Sequence, residues 1–97
     1  MQINFTGHQI DVTPALRVFT EEKLSKLERH FDRIQAIDVT FNVEKLRQIV
    51  DATVHIVHGD VHASAESENM YTSIDGLVGK LDRQLIKHKE KIADHRE

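Results

Sequence analysis

The sequence predicts an α+β fold with the element order β-α-β-β-β-α, in which two helices pack on one face of a four-stranded mixed sheet. Three segments, 37–43, 51–56 and 61–66, alternate apolar with polar side chains, which is typical of half-buried strands. Two longer segments repeat their apolar residues with the period of a helix, and a further short alternation lies near the N-terminus. We expect these elements to form one domain over residues 1–97.

The N-terminal part of the chain predicts a strand followed by a helix. Residues 2–6 place Ile3 and Phe5 on one side of an extended segment. The helix begins with Thr13 as a favourable N-cap and Pro14 at the first helical position. Its apolar residues share one face and predict a single helix that continues as far as Phe31: Leu16, Phe19, Leu24, Leu27 and Phe31.

The next three strands predict a meander that follows the first helix. The first β-α-β unit is expected to be parallel, and the later strand pairs antiparallel. Both apolar sets of the last hairpin stay on one face if Ile56 lies opposite Val61, with a two-residue turn at 58–59. In that register His55 lies opposite His62 on the polar face.

The C-terminal part predicts a long helix. Asn69 is a suitable N-cap, and the pattern continues to about residue 94. Its apolar stripe comprises Ile74, Leu77, Leu81, Leu85 and Ile92. With both helices on one face of the sheet, the other face is expected to be polar and open to solvent.

Cationic residues are concentrated in this last helix, although the whole chain has a formal net charge of −3. Four of them lie in one sector of the helix: Lys80, Arg83, Lys87 and Lys91. Two acids, Asp75 and Asp82, lie on a separate side. A solvated helix surface usually mixes the two signs to gain (i, i+4) pairs, so this segregation favours a surface that binds phosphates. The alternative is that the lysines only complement the helix dipole and aid solubility.

The first helix carries a second cationic set, Lys23, Lys26, Arg29 and Arg33. If the two helices lie side by side, we expect both sets to line the groove between them. Three glutamates in the same segment, Glu21, Glu22 and Glu28, dilute this set.

Other features favour different interpretations. His55 and His62 could bind a metal through neutral imidazoles, but polar side chains on a wet sheet face are the ordinary explanation, and no metal site is expected. The open sheet could instead serve a protein–protein adaptor. Tyr71 could stack on a base, although a first-turn tyrosine is more commonly a hydrophobic anchor. No nucleophile–base motif is present, so neither an enzyme nor a cofactor is expected.

The composition is that of an ordinary globular chain. There is no cysteine, which excludes disulfides and thiolate metal sites. The N-terminal residues lack the features of a signal peptide, and no apolar run reaches the roughly 20 residues of a membrane helix. We therefore expect a cytoplasmic protein that does not associate with membranes.

Several segments resemble one known family. The longest is "HASAESENMYTSIDGLVGKLDRQLIKHKEK" at residues 62–91, and the others are "MQINFTG", "ALRVF", "KLERHFDRI" and "VEK". They resemble the family of short ribosome hibernation promoting factors, which also includes protein Y, the ribosome-associated inhibitor. Asn69 departs mildly from this family, which often has aspartate there. Thr72 and Ser73 replace small alanines.

The resemblance implies the same β-α-β-β-β-α fold, bound to the small ribosomal subunit and its 16S rRNA in the decoding channel. There it would overlap the mRNA and the A- and P-site tRNAs, stop translation and, with ribosome modulation factor, favour inactive ribosome dimers. This chain ends at Glu97 and would lack the tail of protein Y and the dimerisation domain of long-type factors. The expected rRNA-binding residues are Lys80, Arg83, Lys87, Lys89 and Lys91, with Lys23, Lys26 and Arg29 in addition.

Overall fold

The structure, a computed structural model, describes residues 1–94, with side chains as far as residue 90. Its elements are β1 (Gln2–His8), α1 (Pro14–Leu24), α2 (Leu27–His30), β2 (Ile34–Glu44), β3 (Arg47–Ile56), β4 (Gly59–Ser67) and α3 (Met70–Asp94). With α1 and α2 counted as one interrupted helical segment, the predicted order β-α-β-β-β-α is confirmed. No helix in the described part of the chain is long and apolar enough to cross a membrane.

The four strands form one mixed sheet in the order β1-β2-β3-β4. Strand β1 is parallel to β2, whereas β2–β3 and β3–β4 are antiparallel, as the sequence predicted. Phe5 pairs with Val39, and Phe41 pairs with Val50, so apolar side chains meet across the strands on the covered face. The alternation of apolar and polar residues therefore sets which face of each strand is buried.

The predicted register of the last hairpin is wrong by two residues. Ile56 pairs with Gly59, not with Val61, and the two-residue loop is Val57–His58. Gly59 has a φ of +132°, a conformation that favours glycine. A shift of two residues leaves every side chain on its original face, so the apolar pattern alone could not distinguish the two registers.

The predicted first helix is interrupted at 25–26. The Ser25 hydroxyl donates to the Glu22 carbonyl at 2.6 Å, and the Lys26 amide bonds to the Lys23 carbonyl, three residues back instead of four. Serine hydroxyls compete in this way with the regular helical hydrogen bonds. The chain resumes in α2, and Leu27 is still fully buried. The prediction of one continuous helix was wrong, although the predicted apolar face was not.

Both predicted N-caps are present. The Thr13 hydroxyl accepts a hydrogen bond from the Leu16 amide at 3.2 Å, and the Asn69 side-chain oxygen accepts one from the Tyr71 amide at 2.8 Å. A further contact fixes the start of α3, because the buried Ser73 hydroxyl donates to the Gln48 carbonyl of β3 at 2.7 Å. The long helix is thus fixed to the sheet at its first turn.

The hydrophobic core lies between the sheet and the helices. The α3 residues Ile74, Leu77, Leu81 and Leu85 have no exposed surface, and α3 packs against β3 and β4. Gly76 faces β4, where an added Cβ would make an ordinary van der Waals contact with the Cβ of Ala65 at 3.6 Å. The predicted Ile92 lies outside the described side chains. The packing of α3 determines the direction in which its polar side chains point.

We expect Leu81→Ala to lower the free energy of unfolding by roughly 2–5 kcal/mol, because it leaves a cavity under the middle of α3. Chemical denaturation followed by circular dichroism measures this. The matched control is Val18→Ala on α1, where the side chain is 53% exposed and the expected loss is within about 0.5 kcal/mol. Equal losses in the two variants would contradict the assignment of Leu81 to the core.

Candidate nucleic-acid interface

The predicted cations of α3 lie on the flank of the helix next to the edge strand β4. Lys80, Arg83 and Lys87 line an open groove of about 640 Å³ together with Ala63 and Ser64 of β4. All three cationic residues are exposed. We call this surface the β4 groove. It concentrates positive charge beside a strand edge.

Lys80 and Gln84 of α3 form hydrogen bonds to the backbone of β4 and so hold α3 beside this strand. The Lys80 ammonium group donates to the Ser64 carbonyl at 2.7 Å. One turn later, the Gln84 amide donates to the His62 carbonyl at 2.8 Å. Because these bonds are four residues apart on α3, they hold the helix parallel to the strand edge and fix where Arg83 and Lys87 project.

The flank of α3 that faces the first helical segment is acidic. Asp75 contacts the Lys23 ammonium group at 3.2 Å, and Asp82 contacts His30 at 2.6 Å. The Tyr71 ring packs edge-on against Phe19, with the ring centroids 4.8 Å apart. Tyr71 therefore has the contact expected of a hydrophobic anchor.

The expectation that both cationic sets line the groove between the helices is therefore wrong. The apolar stripe of α3 faces the sheet, so the acids on one side of that stripe turn towards α1 and the cations on the other side turn towards β4. A helical wheel gives the two flanks but not which of them lies beside the neighbouring helix.

The remaining predicted cations are distributed over the helical layer. The Lys23 side chain is only 30% exposed and its ammonium group lies 5.3 Å from the centroid of the Phe19 ring. This charge therefore already interacts with Asp75 and Phe19 within the protein. Lys26 and Arg29 are exposed, between α1 and α2 and on α2. Lys89 is exposed but lies about half a turn of the helical wheel away from Lys80, on the side of Asp82. The side chain of Lys91 lies outside the described residues.

Sequence reasoning missed two residues of the β4 groove, Gln84 and Ile86. Gln84 lies four residues after Lys80, a spacing that marks the same flank of a helix. Ile86 is 39% exposed and is one of the residues that line the groove. No helical pattern could have identified Ile86, because it lies outside the apolar stripe and its neighbour in the groove comes from a distant strand.

The opposite, open face of the sheet is acidic and polar, as predicted for an uncovered face. It presents the carboxylates of Asp38, Glu44, Asp51, Asp60 and Glu66. Arg47 is paired with both Glu66 and Glu44 on this face. Arg83 and Lys87 of α3 thus lie on a different surface from these acids.

One hydrogen-bonded chain crosses all four strands on the open face. Asn4 of β1 donates to Asp38 of β2 at 2.9 Å, and the His55 ring of β3 contacts Asp38 at 2.7 Å and Asp60 of β4 at 2.8 Å. The bonds to Asp38 and then Asp60 raise the pKa of His55 above its ordinary value of 6.5. The bonds from Asn4 and then His55 lower the pKa of Asp38 below 3.8. The arrangement favours an imidazolium, which donates from both ring nitrogens.

The histidines do not form a metal site in the described part of the chain. His55 pairs with Asp60 and His62 with Thr53, so the predicted His55–His62 pair is absent. No group of three or more potential ligand residues converges within residues 1–94 in a way that could hold an ion.

Comparison with known proteins supplies the decisive observation. Residues 3–93 match the family described as "Sigma 54 modulation protein / S30EA ribosomal protein". The chain belongs to this family. The resemblance predicted from the sequence motifs is thereby confirmed.

Two named relatives match over nearly the whole chain. The chain is 60% identical to the ribosome hibernation promoting factor of Azotobacter vinelandii over 94% of this chain and 85% of that protein. It is 50% identical to the Escherichia coli K12 protein of the same name, over 98% of this chain and all of that protein. Both proteins carry the same functional name.

Two solved structures share the fold. A ribosomal subunit interface protein from Coxiella burnetii superposes with a TM-score of 0.88 at 42% identity, covering 93% of this chain and 99% of that one. The N-terminal domain of Thermus thermophilus protein Y superposes with a TM-score of 0.85 at 26% identity, covering 91% and 99%.

The His55 chain makes stability depend on pH. A raised His55 pKa adds stability that is fully present below 6.5 and is lost as the pH rises through the folded-state pKa. A lowered Asp38 pKa adds stability that is present above 3.8 and is lost as the pH falls through its folded-state value. We expect His55→Gln to destabilise the protein most between pH 3.8 and pH 6.5, and progressively less at higher pH.

Urea unfolding of wild type and His55→Gln across this pH range measures the difference. The control is Asp38→Asn, alone and combined with His55→Gln. If the residues act as one chain, the double variant loses less than the two single losses added together. A difference that does not change with pH would contradict the assignment.

Proposed function

We propose that this protein is a ribosome hibernation factor, which binds the small ribosomal subunit by neutralising phosphates of the 16S rRNA. The observation that carries the proposal is the cationic flank of α3, held outward by the contacts of Lys80 and Gln84 with the edge of β4. The names of the relatives, which match over nearly the whole chain, support the same role. The S30EA family consists of ribosome-binding regulators, so the protein is not an enzyme.

The dimensions of the cationic flank suit a phosphate backbone. Lys80 and Lys87 are separated by about 10.5 Å along α3 at 1.5 Å per residue. Successive phosphates of one nucleic-acid strand advance by about 3.4 Å along the duplex axis. The flank therefore spans about three phosphates. Lys26, Arg29 and Lys89 extend the cationic surface over the helical layer, and Lys23 and Lys91 belong to the same proposed set.

We place the bound protein in the decoding channel, where it excludes mRNA and tRNA and so inhibits translation. The slender body, 49 × 21 × 18 Å, is suited to a channel lined by RNA. In this role it acts as one ribosome-binding domain in the cytoplasm, needs no cofactor and favours inactive ribosome dimers together with ribosome modulation factor. Such a factor serves cells in stationary phase or under stress.

The protein–protein adaptor has weaker support. It requires the open sheet to provide free binding groups, yet Asp38, His55 and Asp60 bind one another, and Arg47 binds Glu66. A partner would have to break these contacts first. Arg83 and Lys87 of α3 form no ion pair among the described residues.

Removing two cations from α3 tests the proposal. We expect Arg83→Gln with Lys87→Gln to weaken binding to purified small subunits by about 10- to 100-fold at low salt. The log–log dependence of affinity on salt should become shallower by roughly 1.4 to 1.8, since each phosphate contact contributes about 0.7 to 0.9. Fluorescence anisotropy of labelled protein at several salt concentrations measures both quantities.

The matched control removes two cations that do not line the β4 groove. Lys45→Gln with Arg47→Gln changes the net charge by the same amount, at the turn between β2 and β3. This variant should bind like wild type. Equal weakening by both pairs would mean that only the total charge matters, and the proposed interface would be wrong.

Occupation of the decoding channel requires mutual exclusion. Small subunits that already carry mRNA and initiator tRNA should bind the protein at least about tenfold more weakly, and the protein should weaken tRNA binding by the same factor. A fourfold rise in monovalent salt should lower the affinity for empty subunits by on the order of 10² to 10⁴ if five to seven phosphates are contacted. Simultaneous, undiminished binding of tRNA and protein would exclude the channel.

A further inference from the structure

The β4 groove has an unusual balance of hydrogen-bonding groups. The carbonyls of His62 and Ser64 point away from β3, because they accept bonds from Gln84 and Lys80 of α3. In an extended strand the amide of a residue points to the same side as its carbonyl, so the amides of these two residues also face the groove. The outward carbonyls of His62 and Ser64 therefore already accept hydrogen bonds from α3, whereas the outward amides of the same residues are left as donors.

The cations strengthen this bias towards donors. Neither Arg83 nor Lys87 forms an ion pair among the described residues. A guanidinium group gives planar, paired contacts to phosphate oxygens, and an ammonium group adds a mobile point charge. A ligand that fits here must supply acceptors and negative charge.

An apolar side chain also lines the groove. Ile86 is 39% exposed and lines the groove together with Ala63. A phosphate group alone gains nothing from this surface, whereas the face of a base buries apolar area against it. The volume of about 640 Å³ is within the range of sites for small organic ligands.

We propose that the β4 groove binds one unpaired nucleotide of an RNA strand. Its phosphate contacts Arg83 and Lys87, its base lies against Ile86, and the outward amide of Ser64 donates to an acceptor on the nucleotide. This rests on the proposed function and adds that part of the bound RNA is single-stranded. Unpaired bases are the part of RNA that a protein can take into a pocket.

The same geometry disfavours an extended peptide. A peptide that adds to a sheet edge needs both the amides and the carbonyls of that edge. Here Lys80 and Gln84 cap the carbonyls of Ser64 and His62, an arrangement that protects an edge from strand addition. A phosphate ligand needs only the donors, so it leaves both caps in place.

Amide chemical shifts of the ¹⁵N-labelled full-length chain test the proposal without ribosomes. The probes are adenosine monophosphate, inorganic phosphate, adenosine, a single-stranded RNA hexamer and a short RNA duplex. We expect the monophosphate and the hexamer to shift the amides of Ser64, Gln84 and Ile86. The hexamer should bind at least about tenfold more tightly than the monophosphate, because its further phosphates meet the remaining cations.

Matched variants separate the base contact from the phosphate contact. Ile86→Ala should weaken binding of the hexamer about fivefold, at the lower end of the range for loss of one base contact, and leave phosphate binding unchanged. Val18→Ala, a similar truncation of an exposed side chain on α1, should change neither. Arg83→Gln should weaken the hexamer and phosphate alike.

Several results would overturn this inference. They are equal shifts with phosphate and monophosphate, equal affinity for the monophosphate and the hexamer, tighter binding of the duplex than of the hexamer, and a loss in Val18→Ala equal to that in Ile86→Ala. Shifts of the same amides by a neutral extended peptide would assign the groove to strand addition instead.

Binding of Ile86→Ala to small subunits distinguishes the two proposals. If wild type binds subunits but Ile86→Ala binds equally tightly, the nucleotide site is wrong and the hibernation role stands. If wild type does not bind subunits, the proposed function itself fails.

Discussion

The packing of the apolar stripe of α3 on β3 and β4 determines the rest of the structure. Leu77, Leu81 and Leu85 are fully buried, and together they fix the rotation of a 25-residue helix about its own axis. Once that rotation is fixed, every other side chain on the helix has an assigned direction. Asp75 and Asp82 face the first helical segment, whereas Lys80, Arg83 and Lys87 face the strand edge.

Polar contacts then make this orientation more exact. Ser73 bonds to the Gln48 carbonyl at the start of α3, and Lys80 and Gln84 bond to carbonyls of β4 further along. Lys80 thus has two effects, because it places a positive charge in the groove and also caps an acceptor at the edge of the sheet. The contacts that hold the helix also give the groove its excess of donors.

The separation of charge follows from the two-layer architecture. One face of the sheet is buried under the helices, so the polar residues of all four strands collect on the other face, where Asn4, Asp38, His55 and Asp60 form one chain. The exposed cations Arg83 and Lys87 lie in the helical layer. A chain with a net charge of −3 can therefore present a locally positive surface, because the distribution of charge and not its total determines the local field.

The sequence by itself determined the element order, both N-caps, the buried face of each strand and the cationic sector of α3, because these follow from local periodicity and capping chemistry. It did not determine the hairpin register, because a two-residue turn at 57–58 and one at 58–59 bury the same faces of the two strands. Nor did it determine the break in the first helix at Ser25, because the apolar face of the helix continues through the break. Only the tertiary structure decided that the cations lie beside β4 and not between the helices. The physical reason is that a helical period gives angles around one helix, whereas a groove depends on which distant strand lies next to it.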